Sequence, residues 1–92
     1  MKVSVSYMSQ LKKAAGTSRE IVEVDTGTTV EDFLLRTLCT RSADMARAIL
    51  EENGKLRSIL LVFVGDRQAD LQAPTPLKEG DEVTLMMPIA GG

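Results

Sequence analysis

The strongest helical periodicity in this sequence lies between two groups of strand-like segments, and that placement limits the folds open to it. In TTVEDFLLRTL, Thr28 to Leu38, the residues Val30, Phe33, Leu34 and Leu38 share one stripe, the spacing of an amphipathic helix. Thr28 stands three residues before Glu31, as in a capping box, where the two side chains reciprocally satisfy backbone N–H groups of the first turn. Thr40, Arg41 and Ser42 are weaker helix formers. Ser42 can cap a second piece, Ala43 to Asn53, with Met45, Ile49 and Leu50 inward and Gly54 as its left-handed stop. An apolar helical stripe must be buried against another element, so the flanking segments decide the architecture.

Before the helix, Lys2 to Tyr7 alternates polar and apolar and puts Val3, Val5 and Tyr7 on one face, as a half-buried strand requires. SQLKKAAG makes a turn or single helical coil ending at Gly16. The segment Arg19 to Val24 alternates again, with Val22 and Val24 on one face and Ile21 paired inward. These two strands predict an N-terminal hairpin. After the helix, the continuous run Ile59 to Val64 has the pattern of a core strand, covered on both faces or beside a covering neighbour. GDRQADLQAPTP holds a turn at Gly65 and Asp66, and Pro74 and Pro76 forbid a regular interior element; Leu77 tucks beneath this loop. LKEGDEVTLMMP turns at Gly80 into a last strand, Glu82 to Met87, with Val83, Leu85 and Met87 on one side.

The expected fold is therefore α+β: a mixed sheet of four to five strands with one main helix packed on one face, the β-grasp arrangement. At 92 residues one domain is accommodated, 1–92, with 88–92 a projecting tail. Apolar residues at 43% and charged residues at 26% fit an ordinary globular chain.

The same composition narrows function. A formal charge of −2 with dispersed Lys and Arg gives no footprint for nucleic acid. No apolar run is long enough to cross a bilayer, and MKVSVSY lacks a signal h-region, so a cytoplasmic protein without membrane contact is expected. With no histidine and a single cysteine, Cys39, neither a Ser-His or Cys-His nucleophile pair nor an ordinary zinc site can be assembled, and no metal is expected. Cys39, inside the helix pattern and without a nearby base, reads as an inert thiol. Glu51 and Glu52 read as a solvated helix end. Asp81 and Glu82 are adjacent in a strand, point to opposite faces and cannot share a proton. Gly65 and Gly80 lack the spacing of a phosphate-binding loop. Met8, Met45, Met86 and Met87 read as core or partial core, but Met86 and Met87 alternate, so one of them faces outward. Beside Pro88 and Ile89 that methionine forms an adaptable apolar patch suited to a partner.

The chemistry then falls to the stretch MMPIAGG, Met86 to Gly92. From Val83 to Gly92 no side chain is charged, and Pro88 biases Met87 toward extended geometry. The expected product is an apolar arm with one carboxylate at its tip. Glycine lets a narrow channel close around the backbone. A carboxylate is a poor electrophile; adenylation by ATP supplies a leaving group, and sulfide or a persulfide can then form a terminal thiocarboxylate.

On these residues the chain resembles the ubiquitin-like sulfur carriers, and among them the MoaD-like small subunits of molybdopterin synthase. The resemblance runs through MKVSVSYMSQLKKAAG, TVEDFLLRTL and TPLKEGDEVTLMMPIAGG. The LKEGDEV turn with Gly-Gly is shared with thiazole-pathway carriers, while the opening run and the PIAGG ending favour the molybdopterin branch. Met8 stands where that branch often has phenylalanine, and Met87 replaces the first of two prolines. The resemblance implies a body that binds no cofactor. Gly92 becomes an acyl adenylate and then a thiocarboxylate, Gly91 gives channel clearance, and Pro88, Ile89 and Ala90 form the inserted arm, with Met86 and Met87 at the docking surface. The partners it implies are a ubiquitin-activating-type (MoeB-like) adenylyltransferase using ATP, a sulfurtransferase, and a MoaE-like large subunit in a heterotetramer. The small subunit would donate the sulfur for the dithiolene of molybdopterin. Two other readings stay open: a carrier of another pathway, of thiazole or cysteine type, or a modifier joined to lysines. A plain β-grasp interaction module is the bland alternative.

Overall fold

The computed structural model describes residues 1–88. Strand β1, Lys2–Tyr7, is followed by a short helix α1, Gln10–Ala15, and by β2, Arg19–Glu23. The main helix α2 occupies 30–41: a first turn Val30–Asp32, a π-helical segment Phe33–Leu38 and a last turn Cys39–Arg41. Helix α3 is Ala43–Ile49, and the strands β3, Leu61–Val64, β4, Arg67–Gln68, and β5, Glu82–Met86, complete the elements of the described residues.

The five strands form one mixed sheet in the order β2-β1-β5-β3-β4. Val3 is registered with Val22 across the antiparallel β1–β2 pair. β5 lies parallel to β1, with Val5 beside Val83 and Tyr7 beside Leu85, and antiparallel to β3, with Val62 beside Leu85. Because side chains alternate along a strand, this register lays Val3, Val5, Tyr7, Val22, Val62, Val83 and Leu85 on one face, all buried. Val30, Phe33, Leu34 and Leu38 of α2 and Met45 and Ile49 of α3 join them in a single core. The helical stripe and the strand alternation are thus two halves of one buried layer, and the expected α+β, β-grasp architecture holds.

Several expectations are corrected. The Ile59 to Val64 run is not the central strand; β5 is, and β3 has only two-residue β4 outside it. Only four residues of the run form the strand. Leu60 is buried, Ile59 is exposed, and Leu61 and Phe63 are half-buried on the far side from Val62. Ile21 is not inward: it is 68% exposed, because Val22 takes the inward position and alternation turns Ile21 the other way. Met8 is exposed rather than core.

The helix starts one residue later than the capping-box spacing suggests. Thr29, extended at φ −86° and ψ 164°, is the N-cap, and its hydroxyl accepts the Asp32 N–H at 3.2 Å. Thr28 is already used by the loop: its N–H and hydroxyl both donate to Asp25 O, and its carbonyl accepts the Leu77 N–H. Ser42 does cap the second helix, accepting the Met45 N–H at 3.0 Å. Its extended backbone, φ −157° and ψ 147°, breaks the helix outright. That helix stops at Ile49 rather than Asn53, since Arg57 N–H returns to the Ile49 carbonyl and Leu50 turns extended. Gly54, at φ +84°, serves the following turn instead.

Gly65 and Asp66 form the expected two-residue turn between β3 and β4, registered through Val64 and Arg67. Gly65 alone of the two has positive φ, +63°, which a type II′ hairpin asks of its first central residue. Leu77 is buried as expected.

Candidate functional site

The helices cover one face of the sheet; the other face carries Lys2, Ser4, Ser6, Arg19, Ile21, Glu23, Leu61, Phe63, Glu82, Thr84 and Met86, by strand register. At the β3–β5 side of this open face, Leu61 lies opposite Met86 and Phe63 opposite Thr84. All four are half-buried, although no helix covers them. Met8, 42% exposed, follows the inward Tyr7, and its N–H donates to Leu85 O at 3.0 Å, which fixes its backbone beside the end of β5. The result is an apolar patch where β5 delivers the chain into its final residues. Contiguous apolar surface of this kind marks protein interaction sites.

Met86 and Met87 divide as alternation requires. Met86 is on the open face, whereas Met87 is 6% exposed and belongs to the core. Met87 therefore ties the end of β5 into the core, and Met86 is the methionine left partly open to solvent. Pro88 is exposed and is the last described residue. Ile89, Ala90, Gly91 and Gly92 lie outside the described residues.

Leu61, Phe63 and Met8 were not singled out as docking residues from the sequence. A signal existed: a sheet covered on one face should alternate, yet β3 is apolar at every position. Apolar residues facing both ways in such a strand mean one face is left for something else.

The rest of the body offers structure more than chemistry. Tyr7 Oη donates to Glu20 Oε2 at 2.7 Å, and Arg41 of α2 pairs with Glu20 Oε1 at 2.6 Å. Burial, reinforced by the hydrogen bond to the Glu20 carboxylate and by its charge, pushes the Tyr7 phenol well above the usual tyrosine range; Arg41 opposes this. The cluster ties β1, β2 and α2 together and keeps the phenol neutral. Burial likewise raises the Cys39 thiol, which disfavours the nucleophilic thiolate. Asp81 Oδ2 accepts the Lys78 N–H at 2.8 Å while Glu82 Oε1 meets Arg19 at 3.5 Å, so the adjacent carboxylates serve separate partners. A concavity of about 820 Å³ has Leu35, Leu56, Leu60 and Leu71 in its lining with Glu31, Lys55, Arg57, Ser58 and Asp70, and no histidine stands there to activate the Ser58 hydroxyl. Among the described residues no group of three or more His, Cys, Asp or Glu could hold a metal ion, and no helix is long and apolar enough to cross a membrane.

A family model described as the ThiS family matches residues 5–92, nearly the whole chain. The chain belongs to the ThiS family. This ThiS-family chain has the fold of ubiquitin-like sulfur carriers and modifiers. It is similar to SAMP1, the small archaeal modifier protein 1 of Haloferax volcanii, at 25% identity and a TM-score of 0.87 over 100% of both chains. It is also similar to a chain of the Amycolatopsis orientalis BexX/CysO complex, at 26% identity and a TM-score of 0.68 over 98% of this chain and 99% of that one. A chain of the complex of subunits 1 and 2 of the molybdopterin-converting factor from Helicobacter pylori shares the fold, at 20% identity and a TM-score of 0.60 over 100% of both chains. No curated protein matches the sequence.

Proposed function

We propose that this ThiS-family chain is a sulfur carrier whose Gly92 carboxylate is adenylated and converted to a thiocarboxylate. In the first step the carboxylate attacks the α-phosphorus of ATP, giving the acyl adenylate and pyrophosphate. Sulfide or a persulfide sulfur then displaces AMP; with sulfide the thiocarboxylate forms directly, and with a persulfide an external thiol reductant releases it. A MoeB-like adenylyltransferase and a sulfurtransferase supply these steps. Pro88, Ile89, Ala90 and Gly91 form the arm that carries the tip into the recipient, and Gly91 and Gly92 let the channel close on bare backbone.

The observation that carries this reading is the apolar patch of Met8, Leu61, Phe63 and Met86 at the root of the tail. A carrier that must hold its last residues in another protein's active site needs an adhesive surface beside the point where the tail leaves. Burial holds the Tyr7 phenol neutral and disfavours the Cys39 thiolate, so neither of these two groups competes with the tip as a nucleophile. The recipient we favour is a MoaE-like large subunit of molybdopterin synthase, two carriers on its dimer, with the sulfur destined for the dithiolene of molybdopterin in the cytoplasm. A complex of subunits 1 and 2 of the molybdopterin-converting factor from Helicobacter pylori, one chain of which shares this fold, supports a partner subunit of that kind.

A second reading has its own support. The likeness to a small archaeal modifier protein over the full length favours a chain joined through Gly92 to lysines of other proteins. The BexX/CysO likeness supports a carrier for a different acceptor.

Intact mass after incubation with ATP, an activating adenylyltransferase and a sulfur source tests the core of the proposal. Exchange of one oxygen for sulfur at Gly92 is expected, and one added residue beyond Gly92 abolishes it. An unchanged mass under conditions that load a known carrier overturns the sulfur reading. Lysine adducts without any thiocarboxylate select the modifier.

A further inference from the structure

The open edge of the sheet at β2 carries a self-complementary pattern. In the β1–β2 pair, Met1 and Val24 exchange backbone bonds in both directions, and the Tyr7 N–H donates to Ser18 O. Hydrogen-bonded pairs alternate with non-bonded ones along an antiparallel ladder. By the β1–β2 register, Val22 and Glu20 therefore bond to β1. Arg19, Ile21 and Glu23 then turn their N–H and C=O away from the sheet. The complementary groups on β1 agree with this phase, since the Ser4 N–H reaches Asp81 O on the β5 side. Among the described residues the outward groups of Ile21 and Glu23 meet no protein partner. Those of Arg19 are touched by the Thr17 hydroxyl, which donates to Arg19 O at 3.0 Å and accepts its N–H at 3.4 Å. A carbonyl can take a second bond, and the contact at 3.4 Å is easily exchanged.

The side chains of these three residues all lie on the open face, and Ile21 at 68% is the most exposed large apolar residue described. Reversed about Ile21, the strand matches itself: Arg19 falls opposite Glu23, Ile21 opposite Ile21, and Glu23 opposite Arg19. These are the residues whose backbone groups point away from the sheet, free at Ile21 and Glu23 and held only by the Thr17 hydroxyl at Arg19, so the bonding phase and the charge pattern select the same register. Edge strands are commonly defended by charges that repel a second copy. Here the two charges are of opposite sign and symmetric, so a second copy is attracted.

We propose that two copies of this chain pair antiparallel along β2, across a two-fold axis at Ile21, to give a continuous ten-stranded sheet. Ten is twice the five strands of one chain. The shared strand is short, which places the contact among small, reversible interfaces. The pairing leaves the β3–β5 patch open, and it stands whether or not the chain carries sulfur.

Sedimentation of the full chain over a wide concentration range tests this. Weight-average mass should climb from one chain toward two, and the Ile21 and Glu23 amides should gain hydrogen-exchange protection in step. Ile21→Lys should weaken self-association by at least about tenfold, as should Arg19→Glu alone. The swap Arg19→Glu with Glu23→Arg restores the charge pairing and should recover it. A mass of one chain at every concentration overturns the proposal. So does a dimer that Met86→Glu abolishes and Arg19→Glu leaves intact, since it would pair through the open face instead.

Discussion

Tyr7 shows how one residue can be legible in type and hidden in role. Alternation places it inward beside Val3 and Val5, and it is buried. Its partners come from elsewhere: Glu20 from β2 and Arg41 from the end of α2. A buried phenol needs a hydrogen-bond partner, but nothing in sequence separation nominates these two. Because the fold favours the neutral phenol, the folded pKa lies above the unfolded value of about 10. The stabilisation this gives is complete below that pH and is lost as pH rises through it and beyond. Urea unfolding above about pH 10 should show a steeper loss of stability for the wild type than for Tyr7→Phe, which cannot ionise there. Equal slopes would mean the phenol ionises as freely in the folded chain as in the unfolded one. Ile21 teaches a related lesson. An isoleucine in an alternating strand invites an inward placement, yet the phase set by Val22 leaves it in solvent.

At the scale of elements, helix boundaries depended on which backbone groups were still free. Thr28 and Thr29 are equivalent cap candidates by residue type. The loop decides between them, because Asp25 and Leu77 occupy the backbone of Thr28 and leave Thr29 to hold the Asp32 N–H. Thr29→Ala should cost about 1 kcal/mol of unfolding free energy through the lost cap, and Glu31→Ala within about 0.5 kcal/mol; chemical denaturation compares them. A large loss at Glu31 would restore the capping box. The π-helical segment Phe33–Leu38 was not foreseen. It widens the turn so that Cys39 N–H reaches Leu34 O, and Phe33, Leu34 and Leu38 all stay in the core. Apolar spacing alone is compatible with an ordinary helix over the same residues, so this choice belongs to packing against the sheet. The break at Ser42 was readable, since a short hydroxyl residue after weak helix formers is itself a cap signal.

The whole molecule separates a face that holds it together from a face that it offers. Leu85 and Met86 are neighbours in β5, one fully buried and one half-buried on the open side. Leu85→Ala should destabilise by about 2–5 kcal/mol. Met86→Glu should change stability by no more than about 1 kcal/mol while abolishing capture of the recipient subunit in a pull-down. Retained capture would move the docking surface elsewhere. Local reading of the residues was enough for the inventory: alternating strands around an amphipathic helix, a cap at Ser42, and no histidine to build nucleophilic chemistry on. These follow from side-chain period, residue type and absence, which are local properties. That β5 rather than β3 is central, that Met87 is buried while Met86 faces out, and that β2 is a free edge came instead from how the strands assemble. Each of those depends on strand order and ladder phase, which arise when distant segments pair and which no local window of the chain contains.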